Sequence, residues 1–348
     1  MPQRSCEKRK TNPRLERRIS QLNKYLKALQ ALAVGDAMGM PTEFMTRDTV
    51  RRFGLVSELL DPVVSPIHPN LRKGSITDDT EQNLYLIDVY CKSGEITVEG
   101  TANALICWVR ETAADSKGYI GPSSLKALKA IESGEDPRKT GRGGTTCGAA
   151  MRAPAAALCS KNDSPEKLAR DIYNCSLPTH NTNLAVEAAL AMGFAVDAAA
   201  GGAGVEEILK ASLEGASCTN DLDTPNYVGA SSAWKIKFLI ELLADKSEID
   251  EILDTIYYLN GTGLPANEVV PAALAVFSVA KGDVWLSIRM GASVGGDTDT
   301  IAALAGLLSA LHSGDHNIPE EIVEEVLNVN RLDLSEIAEM IEKRRKSV

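Results

Sequence analysis

A chain of 348 residues that is 44% hydrophobic and 24% charged has the make-up of a globular protein able to bury one large core or two modest ones, not of a long disordered segment. Its net charge of −10 is uneven: Arg4, Lys8, Arg9, Lys10, Arg14, Arg17 and Arg18 against Glu7 and Glu16 leave the first 18 residues near +5 and the remainder near −15. A body that acidic argues against a nucleic-acid grip through phosphates, and only the basic terminus suits an anionic partner.

The cysteines (Cys6, Cys91, Cys107, Cys147, Cys159, Cys175, Cys218) are odd in number and scattered, with no C-x-x-C pair. That pattern is neither a zinc ribbon nor a disulfide framework and fits a reducing cytosol. The amino terminus has charge but no apolar h-region, and no uninterrupted apolar run reaches the ~18 residues of a spanning helix. A cytoplasmic protein without membrane spans is expected.

Taken in chain order, residues 1–20 read as a basic, solvated extension and residues 21–348 as one domain. Leu22, Tyr25, Leu26, Leu29, Leu32 and Ala33 recur at helical spacing, with Ser20 placed to cap the start and Gly35 to end it. The loop that follows contains Gly35-Asp36-Ala37-Met38-Gly39 and then Glu43 beside Met40 and Phe44. Apolar neighbours desolvate a carboxyl and raise its pKa, which makes Glu43 a candidate acid/base. Further on, Gly74-Ser75-Ile76-Thr77-Asp78-Asp79-Thr80 precedes the apolar run Leu84-Tyr85-Leu86-Ile87.

A glycine-dense loop, Gly141-Arg142-Gly143-Gly144-Thr145-Thr146-Cys147-Gly148, offers backbone N–H groups and hydroxyls to phosphate oxygens without matching a Walker or dinucleotide motif. His180 stands in a polar loop just before an alanine-rich apolar helix at 184–200; similar helices are expected at 268–281 and 301–311, all interior. Amphipathic helices are expected at 247–259, 319–329 and 334–346, the last ending in Lys343, Arg344, Arg345 and Lys346. Before 301–311 lies Gly295-Gly296-Asp297-Thr298-Asp299-Thr300. Strand signals are sparse and no repeat is found, so the expectation is an all-α domain of ten or more helices with a site built from loops at helix ends.

The two acidic segments each combine paired carboxylates with threonine hydroxyls at the start of a helix. Capping is the plain alternative, because Thr and Asp are favoured N-caps. One cap needs one side chain, however, and each segment spends two carboxylates and two hydroxyls. Four convergent carboxylates repel one another unless hard cations sit between them, and all-oxygen donor sets suit Mg²⁺ or Mn²⁺. Zinc is not expected, since the histidines (His68, His180, His312, His316) include a single i, i+4 pair in a glycine-interrupted loop.

Together these motifs resemble the ADP-ribosylglycohydrolase family over roughly residues 25–316: Gly35-Asp36-x-x-Gly39 with Glu43, Thr77-Asp78-Asp79-Thr80, Gly148-Ala149-Ala150-Met151-Arg152, Thr179-His180 and Gly295-Gly296-Asp297-Thr298-Asp299-Thr300. The resemblance implies a compact, orthogonal multi-helix bundle with a dinuclear Mg²⁺ (or Mn²⁺) site. It implies Thr77, Asp78, Asp79, Asp297, Asp299 and Thr300 as metal ligands, with Asp78 and Asp299 also catalytic, and Glu43 as a loop residue that gates or catalyses. It also implies residues 142–148 around a diphosphate (Arg142, Gly143, Gly144, Thr145, Thr146, Cys147, Gly148) and His180 at the ribose. The implied activity is hydrolysis of the bond between ADP-ribose and its acceptor, on an ADP-ribosylated protein or an ADP-ribose-containing small molecule. Two departures stand out: Cys147 replaces an Asn common in that turn, and Gly261-Thr262-Gly263-Leu264 lacks an aromatic that several members place there.

Three other readings compete. Gly291-Ala292-Ser293-Val294-Gly295 fits a serine-hydrolase elbow, which counts only between a strand and a helix of an α/β sheet. A protein that binds ADP-ribose or a partner, with the basic extension as contact surface and hydrolysis secondary, such as an immunity protein that neutralises a toxin, would carry similar motifs. So would an N-glycosidase acting on another riboside.

Overall fold

The computed structural model describes residues 13–161 and 164–346, with side chains from Lys24 onward. The named elements are all helices or single helical turns; among the described residues the nearest thing to a strand is one isolated antiparallel bridge between Thr146 and Pro265. The all-α expectation holds. Its physical basis is the series of helices Asn183–Gly201, Ala266–Ala280 and Thr298–Ser313, which are alanine-rich, apolar on nearly every side and buried on nearly every side.

The first helix differs from its expected bounds. It runs Pro13–Gly39, so it starts before Ser20 and passes straight through Gly35. The part of the expected 1–20 extension that precedes position 13 lies outside the described residues. Gly35 does not end the helix because it serves packing: a Cβ there would lie 2.5 Å from the Ala302 carbonyl oxygen, and one on Gly39 would lie 2.4 Å from that of Thr298. Two glycines one turn apart thus let this helix press its backbone onto the start of Thr298–Ser313, the most extensive helix–helix contact among the described residues.

The region expected as one helix at 247–259 is helical over Ile249–Thr255 and then widens into a π-turn, Ile256–Asn260, which buries Ile256 and turns Tyr258 and Leu259 outward. The Asn183–Gly201 helix is long and apolar enough to cross a membrane, yet 72% of its apolar stretch is buried inside the fold, as for a core helix. The basic end of Ser335–Lys346 serves a neighbour as well as itself: Arg344 Nε donates to the Cys159 carbonyl at 2.8 Å and Arg345 to that of Ala157 at 3.1 Å, where cations favour the closing carbonyls of Ala153–Cys159.

Candidate active site and metal centre

The two acidic motifs are two helix starts. Thr77 is the N-cap of Asp78–Ser93 and Asp297 that of Thr298–Ser313, and neither side chain makes a capping hydrogen bond. Elsewhere the chain caps in the ordinary way, with Thr97, Ser164 and Thr182 each accepting from a backbone N–H of the first turn. Capping therefore does not account for the acidic motifs, whose side chains are turned toward each other instead. Thr300 joins them: its hydroxyl lies 3.2 Å from Asp79 Oδ2 and 3.0 Å from Asp297 Oδ1.

The first helix aligns both starts. Gly39 sits against Thr298, while Asp36, one turn earlier, accepts from Thr77 N and Oγ1 and from Thr80 N and Oγ1 at 2.6–3.0 Å. Asp36 is fully buried, and burial, reinforced by the Asp299 charge, pushes its pKa up to about 7 despite these donors. Sequence alone gives Asp36 no role. Its spacing, one turn before Gly39, is a signal in principle, but its partners lie 41 and 44 residues away.

Around this frame the carboxylates crowd. Oxygens of Asp36, Asp79 and Asp299 fall within 4.8 Å of one another, and so do those of Glu43, Asp297 and Asp299. Burial first, and the neighbouring Asp299 charge second, hold Asp78, Asp79, Asp297 and Glu43 well above the usual carboxylate range. Two buried oxygens, Asp79 Oδ1 and Asp299 Oδ1, have no hydrogen-bond partner among the described residues. A buried acceptor left unmatched costs about 1–3 kcal/mol, so the pair asks for a ligand. Asp36 already accepts four hydrogen bonds and is better placed to hold the helix start than to bind an ion. The remaining hard oxygens, those of Asp79 with Asp299 and of Glu43 and Asp297 with that same Asp299, form an acidic group that could hold a metal ion.

Glu43 is buried, and its Oε2 lies 3.0 Å from His68 Nε2. Phe44, next to it, adopts a positive φ of 59° while its N–H donates to the Gly296 carbonyl at 2.7 Å. The Gly296 N–H returns to the Met45 carbonyl at 2.9 Å, so the Glu43 loop is stitched to the Gly295–Gly296 turn. Gly296 has no room for a side chain, since a Cβ would lie 2.0 Å from the Thr262 carbonyl oxygen. His68 was no candidate from sequence; a histidine in a loop between Pro66 and Pro69 carries no signal until the fold sets it on Glu43.

A cavity of 190 Å³ opens over the acidic cluster, lined among others by Glu43, Phe44, His68, Asp78, Asp79, Asp297, Asp299 and Thr300. Thr146, Cys147 and Gly148 from the glycine-dense loop form part of its wall; Arg142, Gly143, Gly144 and Thr145 do not. Arg142 is exposed, 3.5 Å from Asp223, and its carbonyl accepts from Tyr227. Gly143 is exposed beside the same tyrosine, Gly144 is buried under the Thr179 carbonyl, and the Thr145 carbonyl accepts from Ala266 N at 3.0 Å.

His180 is not at the cavity. It is fully buried, with Thr146 Oγ1 and Thr179 Oγ1 each 2.8 Å from a ring nitrogen, and a Cβ on Gly148 would lie 2.5 Å from the ring. Its place is behind the loop, where it props Thr146 and Gly148. Cys147 departs furthest from expectation: its thiol donates to Asp297 Oδ2 at 3.1 Å, so it touches the acidic cluster itself.

The serine-elbow reading fails on geometry. Ser293 ends the Val284–Ser293 helix, is buried, and its Oγ accepts from Val56 N at 2.9 Å, while His312 is bonded to the Ala203 carbonyl and His316 to Gln30.

Comparison with known proteins agrees with the site. The family model described as ADP-ribosylglycohydrolase matches residues 17–347. The chain is 30% identical over 328 residues to the uncharacterized protein YegU of Escherichia coli, covering 93% of this chain and 97% of YegU. It is 26% identical over 299 residues to the ADP-ribosyl-[dinitrogen reductase] glycohydrolase of Rhodospirillum rubrum, covering 85% and 88% of the two chains. To the ADP-ribosylarginine hydrolase Tri1 of Pseudomonas putida it is 26% identical over 309 residues, covering 86% and 73%. A solved structure titled ADP-ribosylglycohydrolase-related protein complex shares the fold with a TM-score of 0.67 at 22% identity, over 94% of this chain and 99% of that one. Both the motifs and their assembly thus lead to one conclusion: the chain belongs to the ADP-ribosylglycohydrolase family and is a hydrolase acting on glycosyl bonds.

Proposed function

We propose that the chain removes ADP-ribose from an acceptor side chain in a reaction that depends on two Mg²⁺ or Mn²⁺ ions. The observation that carries this reading is the pair of partnerless buried oxygens, Asp79 Oδ1 and Asp299 Oδ1, in carboxylate sets that share Asp299. Thr77, Asp78, Asp79, Asp297, Asp299 and Thr300 would hold the ions, and Asp36 would keep the Asp78–Ser93 start in place. Ions bound there supply positive charge for ribose hydroxyls and for a polarised water.

Breaking a ribosyl bond passes through an oxocarbenium-like state that needs an activated water and a proton for the leaving group. Glu43, whose pKa burial and then the Asp299 charge push well up, is the group we assign to that proton, with His68 fixing its direction. Thr146, Cys147 and Gly148 form the wall along which the diphosphate would leave the cavity, and Arg142 stands exposed further out on the same loop. Relatives named for ADP-ribosylarginine and ADP-ribosylated dinitrogen reductase support a modified protein as substrate, with arginine as the first acceptor to test.

The test is release of free ADP-ribose from an ADP-ribosylated arginine peptide, read by mass spectrometry. Release in Mg²⁺ or Mn²⁺ should stop on chelation and fall by orders of magnitude in Asp299→Asn. Release that survives both treatments would show that the metal mechanism is wrong.

A further inference from the structure

The chain carries a thiol pair that plays no part in the chemistry above. Cys91, in the last turn of Asp78–Ser93, has its Sγ 3.6 Å from that of Cys159, the last residue of Ala153–Cys159. Cys91 is half-buried and Cys159 fully buried. A separate cavity of 280 Å³ reaches Cys91 from outside and is lined by Cys91, Lys92, Lys161, Met340, Lys343 and Arg344. Four of those six residues are cationic, in a protein whose net charge is −10. Arg344 also binds the Cys159 carbonyl at 2.8 Å, which ties the cationic wall to both cysteines.

The two thiols are unlike. A hydrogen bond with Cys159, and then the Arg344 charge, holds the Cys91 thiol below its ordinary range, while burial pushes the Cys159 thiol well up. An accessible, acidified thiol backed by a shielded one is the arrangement of an attacking and a resolving cysteine. We propose that Cys91 and Cys159 form a reversible oxidative modification site, in which hydrogen peroxide enters the cationic cavity, oxidises Cys91 and leaves a Cys91–Cys159 disulfide. In the first step the Cys91 thiolate attacks one peroxide oxygen, an S–O bond forms, the O–O bond breaks, and the departing oxygen takes a proton to leave as water. In the second the Cys159 thiol loses its proton and attacks the Cys91 sulfur; an S–S bond forms, the S–O bond breaks, and hydroxide leaves as water with that proton. Two thiols lose two electrons and one hydrogen peroxide becomes two waters.

The experiment treats the full chain with hydrogen peroxide, alkylates the remaining thiols and maps peptides without reduction. Expected are an intact mass lower by two hydrogens, one cross-linked peptide joining Cys91 to Cys159, and return of both thiols with dithiothreitol. In Cys159→Ser the reaction should stop at a Cys91 sulfenic acid that dimedone traps; Cys159→Ala serves the same purpose if a hydroxyl is not tolerated at this buried position. The idea is overturned if Cys91 and Cys159 both stay alkylatable at a peroxide dose that oxidises the exposed Cys107. Pairing of Cys91 with a different cysteine, or a folded Cys159 variant without a dimedone adduct on Cys91, would overturn it equally.

Discussion

Glu43 owes its chemistry to position. Its own sequence neighbours, Thr42 and Phe44, place it in a short loop, but its pKa is raised first by burial in the folded chain and then by the charges of Asp299 and Asp297, more than 250 residues away. As the proton donor or acceptor, Glu43→Gln should lower kcat by roughly two to four orders of magnitude, the usual contribution of a general acid or base. The rise in melting temperature on adding Mg²⁺ should persist in that variant, because the six assigned ligands are intact. Single-turnover rates and melting curves on the same preparation decide the matter: wild-type turnover would reduce Glu43 to a gate, and a lost Mg²⁺ response would make it a ligand.

Among the elements, the contact between Pro13–Gly39 and Thr298–Ser313 does most to set the site, because it places Asp36 and the Asp297–Thr300 start in register. Gly39→Ala would put a methyl group 2.4 Å from a backbone oxygen of that start. Overpacking of this kind costs about 1–3 kcal/mol, and here the backbone has to give way rather than a flexible side chain. We expect a lower melting temperature together with a weaker response to Mg²⁺. Gly201→Ala is the control: it sits at a helix end with nothing within 4 Å of the added Cβ, so it should be neutral or stabilise by up to about 1 kcal/mol. If both variants behave alike in calorimetry and metal titration, the close approach at Gly39 has no part in building the site.

For the molecule as a whole, the cluster is a stability problem that bound cations would solve. The folded-state pKa of Asp36 is raised from 3.8 to about 7, and those of Asp78, Asp79, Asp297 and Glu43 are raised as well. A raised carboxyl pKa means that the metal-free native state binds more protons than the unfolded chain above the ordinary carboxylate range. The stability linked to these protons is complete below that range and is lost as pH rises through the folded values. Chelated protein should therefore melt lower at mildly alkaline than at mildly acidic pH, and added Mg²⁺ should restore most of the loss at the alkaline end. Scanning calorimetry with EDTA and then with restored cation checks this; curves indifferent to both would mean that no cation belongs to the cluster.

Much of this protein was legible residue by residue. Helical periodicity marked the Asn183–Gly201 and Thr298–Ser313 core helices, because apolar side chains on every face leave a helix no stable place but the interior. Paired carboxylates with hydroxyls marked the two acidic motifs, because like charges at that density call for a counter-ion whatever the fold. Local rules failed where the meaning of a residue lies across the chain. Gly35 reads as a helix end and is a packing surface for Ala302; His180 reads as a loop contact and is a buried prop for Thr146; His68 shows nothing until it meets Glu43, and Asp36 belongs to a motif but has no role until it meets Thr77. Sequence by itself determined the helical class, the family and the chemical type of the donors, all of which depend on side-chain kind and short-range spacing. Tertiary structure alone decided which of those donors converge, since that rests on the backbone contact at Gly35 and Gly39, which brings residues more than 200 positions apart within bonding distance.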